Sequence, residues 1–217
     1  MSLIARLRAL WTFGRGVKMG LPEPAPGEDP IELFNAWFAA ARHSGILLPE
    51  SMTLATATPE GSPSARMILL KEVTREGFVF FTNYESRKSV EMEANPQVAL
   101  VSHWPVLQRQ VRVEGRVERL SEEASARYFE TRTRGSRIGA WASMQSRTLA
   151  DRSDLERRVR EAEARFRGGD VPLPSFWGGY RVVPSRIEFW QGRADRLHDR
   201  WAWIREAGAW RTERLYP

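Results

Sequence analysis

The chain of 217 residues contains many short β-like runs with few helical segments between them, and this pattern most constrains its fold. Turn-forming segments such as PEGS and TREG separate the runs, and one run alternates apolar and charged residues, as in a strand with one solvated face. An open sheet would expose apolar edges, which favours closure. We therefore predict an α+β, mainly β fold: a barrel of antiparallel strands with peripheral helices. The predicted strands cover residues 52–58, 65–73, 77–82, 98–104, 110–117, 179–183, 186–190 and 201–206.

Three helices are predicted beside the sheet. The first begins at Asp29, an N-cap acceptor, with Pro30 at the first helical position. The second begins at Ser121 and ends near Gly135. The third begins at Ser153, where the letters S-D-L-E match a capping box, and its many arginines are expected to form a solvated face.

The first 28 residues differ in composition from the rest of the chain. Residues 1–20 carry four basic residues and no acid, and a Pro-rich stretch follows over 21–29. We expect a flexible basic arm and linker over 1–28, followed by a single domain over 29–217. A membrane-surface or transit-like helix is the alternative for the basic arm.

Several classes of protein are disfavoured by what the sequence lacks. Without cysteine there are no disulfides, thiolate metal sites or thiol redox chemistry, so a redox function would need a bound cofactor. Three histidines far apart in sequence disfavour a metal site, and no dinucleotide or P-loop fingerprint is present. The apolar runs are far shorter than the roughly 20 residues of a membrane helix, and arginines interrupt the apolar residues of the N-terminus, unlike an export signal. The predicted location is the cytoplasm.

The charge of the chain points to an anionic partner. The formal net charge is +6 and the calculated pI is about 10.2. Such a balance is typical of proteins that bind nucleic acid, a membrane surface or phosphorylated small molecules. Composition alone does not choose among these three.

Two of four polar clusters lie in the first half of the chain. Arg66 and Lys71 fall in one predicted strand, where alternation places them on opposite faces. The run Ser86-Arg87-Lys88 follows the strand over 77–82, with a helix beginning at Ser86. Adjacent cations and hydroxyls at a helix N-terminus suit a phosphate dianion, whereas a solvated turn is the alternative.

The third cluster is formed by Tyr128, Arg132 and Ser136. A spacing of four places Tyr128 and Arg132 on one face of the second predicted helix, and Ser136 falls near its end. A phenol, a guanidinium and a hydroxyl that converge there would bind a second anion. A surface helix end rich in arginine is the alternative.

The fourth cluster is formed by Arg196, His198 and Arg200. In an extended segment these side chains share one face and repel one another unless an anion lies there, whereas a turn would separate them. Trp190, near a strand end, either stacks on an aromatic ligand or packs in the core.

In this order, the clusters resemble the pyridoxine/pyridoxamine 5′-phosphate oxidase family over residues 29–217. The most specific matches are R-G-S-R-I-G-A-W-A-S-x-Q-S (134–146), V-P-L-P-S-F-W-G-G-Y-R (171–181) and I-E-F-W-Q-G with R-L-H-D-R (187–200). Shorter matches are R-M-I-L-L-K (66–71), F-F-T-N (80–83), S-R-K (86–88) and R-Q-V (109–111). The resemblance implies an FMN-binding split β-barrel and a homodimer with two FMN molecules between the subunits.

The resemblance also implies a role for each matching residue. Arg87 and Lys88 would neutralise the FMN phosphate, and Arg196 and His198 would be catalytic, over the substrate's pyridine ring. The implied FMN site comprises Arg66, Met67, Ile68, Leu69, Leu70, Lys71, Phe81, Thr82, Arg87, Lys88, Gln110, Gln145, Ser146, Trp190 and Arg200. The implied substrate site comprises Lys71, Tyr128, Arg132, Ser136, Arg196, Leu197 and His198.

The implied reaction oxidises C4′ of pyridoxine or pyridoxamine 5′-phosphate to give pyridoxal 5′-phosphate. Hydride passes from C4′ to flavin N5, and O2 reoxidises the flavin to yield hydrogen peroxide. The sequence departs from the family in its N-terminal segment, which lacks a tyrosine, and no residue is assigned there. Alternatives are a related flavin oxidase of another aromatic metabolite, for example in phenazine biosynthesis, and a nucleic-acid-binding barrel.

Overall fold

The computed structural model describes residues 20–25 and 27–217, so most of the predicted basic arm lies outside the described residues. Five α-helices and nine strands are described there. The helices are α1 (Pro30–His43), α2 (Arg87–Ala94), α3 (Glu122–Glu130), α4 (Arg134–Ala142) and α5 (Arg152–Arg165). The strands are β1 (Ser51–Ala57), β2 (Pro63–Leu69), β3 (Glu72–Thr74), β4 (Gly77–Asn83), β5 (Gln97–Trp104), β6 (Arg109–Arg119), β7 (Trp177–Gln191), β8 (Asp199–Glu206) and β9 (Ala209–Arg214).

All nine strands form one antiparallel sheet, as predicted for the fold class. The main path of the sheet runs β2-β1-β5-β6-β7-β4-β3, and β8 and β9 extend from the later half of β7. The two ends of this path are consecutive in sequence: the Leu70 amide donates to the Glu50 carbonyl beside β1, and the Lys71 amide donates to the Val79 carbonyl on β4. The chain thus bends at residues 70–71 and brings the two edges of the curled sheet together.

This bend corrects the prediction of a single strand over 65–73. The apolar run 67–70 leads directly into this bend, and the chain changes its pairing partner from β1 to β4 at residues 70–71. Lys71 therefore lies outside both strands, and the prediction that it alternates with Arg66 on one strand is wrong.

The strands predicted over 179–183 and 186–190 are one continuous strand, β7. Its pairing with β6 shifts register between Glu114 and Gly115, so Gly115 pairs with Pro184. A Cβ at Gly115 would lie 2.2 Å from the Val183 carbonyl oxygen, which explains a glycine at this close approach. The sequence pattern is interrupted because the bulge holds a proline within a strand that continues on both sides.

The helix starts are confirmed in two cases and corrected in one. The side chains of Asp29 and Ser121 accept hydrogen bonds from backbone amides of the first turns of α1 and α3. The third predicted start is two residues late, because Asp151 is the N-cap of α5 and accepts from the Ser153 amide. The predicted end of the second helix is also wrong. It was expected near Gly135, but α3 ends at Glu130, and Gly135 lies in the first turn of α4.

Two groups of buried apolar side chains hold these elements together. The larger group fills the curled sheet and is closed by α1, whose Phe34 is fully buried and packs edge-on against Phe78 on β4. The smaller group joins α3, α4 and α5 to the start of β7, where Trp177 packs edge-on against Phe129. The helical group thus lies over the end of β4 and the start of β7. Within the described residues, no helix is long and apolar enough to cross a membrane.

Candidate active site

Arg66 lies on β2 in a dense hydrogen-bond network beneath α2. Its guanidinium donates to the Thr56 hydroxyl at 2.6 Å and forms an ion pair with Glu91 at 3.0 Å. Burial would raise the pKa of Glu91, but hydrogen bonds from Ser64, Thr56, Arg87 and Arg66 outweigh it and lower this pKa to about 2. Glu91 is therefore ionised at neutral pH and holds Arg66 in place.

Lys88 is a buried cation without an acidic partner. Its side chain is on α2, and Nζ donates to the hydroxyls of Thr82 and Ser86, each at 3.0 Å. No carboxylate of the described residues lies within ion-pair distance of it. Burial, and then repulsion from Arg66, lowers the pKa of Lys88 to about 8. A bound anion would relieve both effects.

The N-terminus of α2 is also suited to an anion, because no side chain caps its amides. Ser86 is the N-cap residue, but its hydroxyl pairs with Ser89 and Lys88 and does not cap the helix amides. Arg87, in contrast, is largely exposed and donates from Nε to Glu91 at 2.8 Å. We name Arg66, Arg87, Lys88 and Glu91 the cationic cluster.

Three stacked rings, those of Phe81, Tyr128 and Trp177, form what we name the aromatic wall. Phe81, on β4, stacks on Tyr128 of α3 with ring centroids 3.8 Å apart and on Trp177 of β7 at 5.7 Å. Phe81 is followed directly by Thr82, whose hydroxyl donates to Gln145 Oε1 at 3.2 Å. Side-chain hydrogen bonds thus connect Thr82 with Lys88 and Gln145, and Phe81 is the residue before Thr82 on β4. Ser146 follows Gln145 with a left-handed backbone (φ 73°).

Arg132 borders the aromatic wall and lacks an acidic partner too. Its guanidinium lies 4.6 Å from the centre of the Trp177 ring, and its Nη1 is buried with no hydrogen-bond partner. Burial lowers the pKa of Arg132, while Tyr128 opposes this shift. A buried, unpaired guanidinium nitrogen is costly, and an anionic ligand would satisfy it.

Ser136 lies in the first turn of α4, not at the end of the helix that holds Tyr128. Its amide donates to the N-cap hydroxyl of Thr133, and the two hydroxyls are 2.9 Å apart. The predicted shared helix face of Tyr128 and Arg132 is wrong, because α3 ends at Glu130. Both side chains nevertheless contact the same ring: Tyr128 stacks on Trp177, and the guanidinium of Arg132 lies over it. Lys71 is exposed at the bend between β2 and β3.

The remaining predicted residues of β2 point in different directions. The side chains of Met67 and Leu69 are on the exposed face, whereas Arg66 and Ile68 are less exposed. Leu70, at the bend, is buried in the core. Only Arg66 of this run has polar side-chain contacts with the cationic cluster, so the other residues of the run would act through their backbone or through packing.

A second set of predicted residues lies at the far end of β7, and we name it the strand-end group: Gln110, Trp190, His198 and Arg200. The first, second and fourth of these residues pair in register across β6, β7 and β8. Arg200 is held by the buried Glu188 at 2.9 Å and by the Tyr216 carbonyl. The His198 ring lies 4.6 Å from the Trp190 ring, and its Nδ1 accepts from the Arg193 amide, which leaves Nε2 as the ring's donor.

Arg196 and Leu197 are exposed beside the strand-end group. The turn Ala194–Arg196 places both Asp195 and Arg196 in the left-handed region, with φ values of 56° and 59°. The arrangement of Arg196, His198 and Arg200 on one strand face is therefore wrong, because β8 begins only at Asp199. Two consecutive non-glycine residues in this region mark a strained turn.

Within one chain, the cationic cluster and the strand-end group are far apart. Thr82, which contacts Lys88, pairs with Gly178 at one end of β7, whereas Gln110 pairs with Trp190 at the other end. Twelve residues of strand separate these two positions, or about 40 Å of extended chain. The two groups thus lie towards opposite ends of one strand.

The structure adds residues that the sequence analysis missed. Glu91 and Glu188 are buried carboxylates that hold Arg66 and Arg200 respectively, and Trp177 supports both Phe81 and Arg132. The spacing of four between Arg87 and Glu91 was a visible sign that these two residues form an ion pair, but it did not indicate the contact of Glu91 with Arg66. The role of Glu188 follows only from its register opposite Arg112 and beside Arg200.

Comparison with known families covers both halves of this arrangement. A family described as pyridoxamine 5′-phosphate oxidase matches residues 40–166. A second, described as the pyridoxine 5′-phosphate oxidase C-terminal dimerisation region, matches residues 177–217. The chain belongs to the pyridoxamine 5′-phosphate oxidase family. As a member of this family it is an oxidoreductase.

Individual members of the family are similar along the whole chain. The pyridoxine/pyridoxamine 5′-phosphate oxidase of Psychromonas ingrahamii is 56% identical over 217 residues, all of both chains. That of Rubrobacter xylanophilus is 57% identical over 200 residues, 92% of each chain. Among solved structures, PhzG from Burkholderia lata, in complex with tetrahydrophenazine-1-carboxylic acid, has a TM-score of 0.85 and 30% identity, over 91% of this chain and 98% of its own.

Proposed function

We propose that this protein uses FMN to oxidise pyridoxine 5′-phosphate and pyridoxamine 5′-phosphate to pyridoxal 5′-phosphate. The observation that carries this proposal is two cations without acidic partners: Lys88, which is buried, and Arg132, which is half-buried and whose Nη1 is buried without a hydrogen-bond partner. Two phosphate esters, one from the cofactor and one from the substrate, would complete these two sites. The names of the relatives in Psychromonas ingrahamii and Rubrobacter xylanophilus support the same substrates.

The residues present fit FMN. Its phosphate suits the cationic cluster, where the buried Lys88 and the uncapped N-terminus of α2 lie together. Gln145 and Thr82 supply polar groups next to Phe81. When bound, the flavin would supply the redox chemistry, namely an acceptor at N5 for the C4′ hydride and reoxidation by O2 with release of hydrogen peroxide.

The chain's own contribution is to bind and orient the substrate. Arg132, Tyr128, Ser136 and Lys71 would hold the substrate phosphate, with the unpaired Arg132 Nη1 as the central donor. Arg196 and His198 would lie over the pyridine ring. Because His198 Nδ1 accepts from the Arg193 amide, its Nε2 would be free to donate a hydrogen bond to the substrate. Binding both ends of the substrate fixes C4′ in one position, which is the main route by which a protein accelerates such a transfer.

We further propose a homodimer in which each active site takes residues from both chains. The cationic cluster and the strand-end group are at opposite ends of β7, so a single FMN that contacts both sets needs a second chain. The match of residues 177–217 to a dimerisation region supports a dimer, because this region contains β7, β8 and β9 and with them Trp190 and Arg200. Two such sites per dimer follow from the symmetry. The cytoplasmic location stays a prediction.

One experiment tests the proposed function directly. The purified protein, loaded with FMN, should show a flavin absorbance spectrum and should form hydrogen peroxide when either phosphorylated vitamer is added. Unphosphorylated pyridoxine is the control, and it should react far more slowly because it lacks the group that Arg132 binds. Colourless protein that FMN cannot reconstitute would contradict the proposal.

A second candidate is an oxidase of another aromatic metabolite, which the similarity to PhzG favours. Such an enzyme would not need a substrate phosphate site. Peroxide formation with a phenazine precursor, and turnover unchanged by Arg132→Ala, would favour this candidate over the first.

A further inference from the structure

Glu91 gathers hydrogen-bond donors from three elements of the fold. It lies in the second turn of α2 and is only 6% exposed. Its Oε2 accepts from Ser64 at 2.6 Å, from Arg66 at 3.0 Å and from Thr56 on β1. Its Oε1 accepts from Arg87 Nε at 2.8 Å. One carboxylate thus ties β1 and β2 to the helix that carries Arg87 and Lys88.

The cationic cluster as a whole is not neutral. It contains three cations, of which Arg66 and Arg87 pair with its one carboxylate and Lys88 does not, so its formal net charge is plus two. A phosphate ester near neutral pH carries about −1.5 to −2. The charge left over after Glu91 has paired with the arginines therefore matches that of one phosphate.

We infer that Glu91 is a positioning residue for the cofactor phosphate. It fixes the guanidinium groups of Arg66 and Arg87 beside Lys88 before the anion binds, so that binding does not have to order two long, flexible side chains. Without this carboxylate, three adjacent cations would repel one another and turn apart. The inference rests on the proposed function, in which the FMN phosphate lies at the cationic cluster.

This role and simple electrostatics predict opposite results for Glu91→Gln. The substitution removes a negative charge beside an anion site, so Coulomb attraction alone would strengthen FMN binding. A positioning role predicts weaker binding, because glutamine has no charge and offers one acceptor oxygen, so it cannot hold both arginines as the two carboxylate oxygens do. Riboflavin is FMN without its phosphate, so both explanations predict that the substitution leaves riboflavin binding unchanged.

The test measures the dissociation constants of FMN and riboflavin for the full-length apoprotein by quenching of flavin fluorescence. For Glu91→Gln we expect the FMN constant to rise about tenfold to a hundredfold, the range for lost charge-assisted hydrogen bonds. The riboflavin constant should stay within about twofold. Glu93→Gln is the matched control: it is on the same helix and bonds Arg119 and Tyr180, outside the cationic cluster, so both constants should hold.

Each outcome separates this inference from the proposed function. If wild-type protein does not bind FMN, the proposed function fails and the inference fails with it. If wild-type protein binds FMN but Glu91→Gln binds it equally or more tightly, only the inference fails. Equal weakening of FMN and riboflavin would reduce Glu91 to a structural residue. Should Glu91→Gln not fold, Thr56→Val removes a partner of both Arg66 and Glu91 without a charge change, and it must show the same selective loss of FMN.

Discussion

The cationic cluster and the strand-end group differ in how far one chain completes them. In the cationic cluster, Lys88 and Glu91 are buried, Arg66 is half-buried, and all three are hydrogen-bonded to their surroundings. In the strand-end group, Trp190 and Arg200 are fixed by strand pairing, but the adjacent Arg196 and Leu197 are exposed on a strained turn. A preformed anion site thus occurs at one end of β7 and an open surface at the other, which is what two halves of a shared site require.

The largest effect is expected at the open end. Arg196→Ala should lower turnover by about 100-fold or more, because it removes the side chain that would orient the substrate ring, while FMN stays bound at the cationic cluster. Peroxide formation measures turnover, and flavin absorbance after gel filtration measures FMN content. Arg205→Ala, an exposed arginine on β8, is the control and should retain activity. Loss of flavin from Arg196→Ala would contradict this division of roles.

The next effect is expected at the aromatic wall. Arg132→Ala should lower kcat/KM for pyridoxine 5′-phosphate by about 10- to 100-fold, since a charge-assisted contact to phosphate is lost. The rate with unphosphorylated pyridoxine should not change. Steady-state kinetics with both substrates checks this prediction, and equal losses for the two would argue against a phosphate contact.

A mixing experiment tests whether the two ends belong to different chains. In a dimer of one Arg132→Ala and one Arg196→Ala chain, one site carries both substitutions and the other carries neither if each site is shared. Random reassociation of the two variants should then restore about a quarter of wild-type activity. If each site were built from one chain, no mixture would exceed the activity of its parents.

The smallest predicted effect concerns pH and the cationic cluster. In the free protein, burial and then Arg66 lower the pKa of Lys88 to about 8, and a bound phosphate would raise it again. FMN affinity should therefore be constant from about pH 7, where the phosphate is mostly a dianion, to about pH 8, and should fall as pH rises further, by at most about tenfold per pH unit. Fluorescence titrations from pH 6 to pH 10, roughly spanning this window, measure the slope. Lys88→Arg should bind FMN without this dependence, because arginine stays charged.

Much of the fold was predictable from sequence because its signals are local. The N-caps Asp29 and Ser121 and the alternation of β6 depend on neighbouring residues only. The errors arose where long-range pairing overrides local pattern. The bend at residues 70–71 occurs where an apolar run meets Lys71 without a turn signal, and the bulge beside Pro184 interrupts the pattern of β7 without ending the strand.

The sequence and the resemblance named the members of the candidate site, which stay a prediction, but they did not reveal how these residues are arranged. Clusters of arginine, lysine and tyrosine pointed to two phosphates, and the resemblance named their positions. The break between α3 and α4 could not be predicted from a spacing of four, because that spacing predicts one continuous helix through Arg132. The buried supports Glu91 and Glu188 were also missed, since their partners come from other strands and become neighbours only in the folded sheet.

The separation of Gly178 and Trp190 along β7 has a consequence for how the cell would supply this enzyme. If a flavin is bound only where two chains meet, each molecule of FMN that binds favours association, and each dissociation event releases FMN. By mass action, the supply of FMN, the phosphate ester of riboflavin (vitamin B2), would then help to set the fraction of chains that are assembled as dimers. The synthesis of one vitamin's active form would thus depend on another vitamin through quaternary structure as well as through redox chemistry.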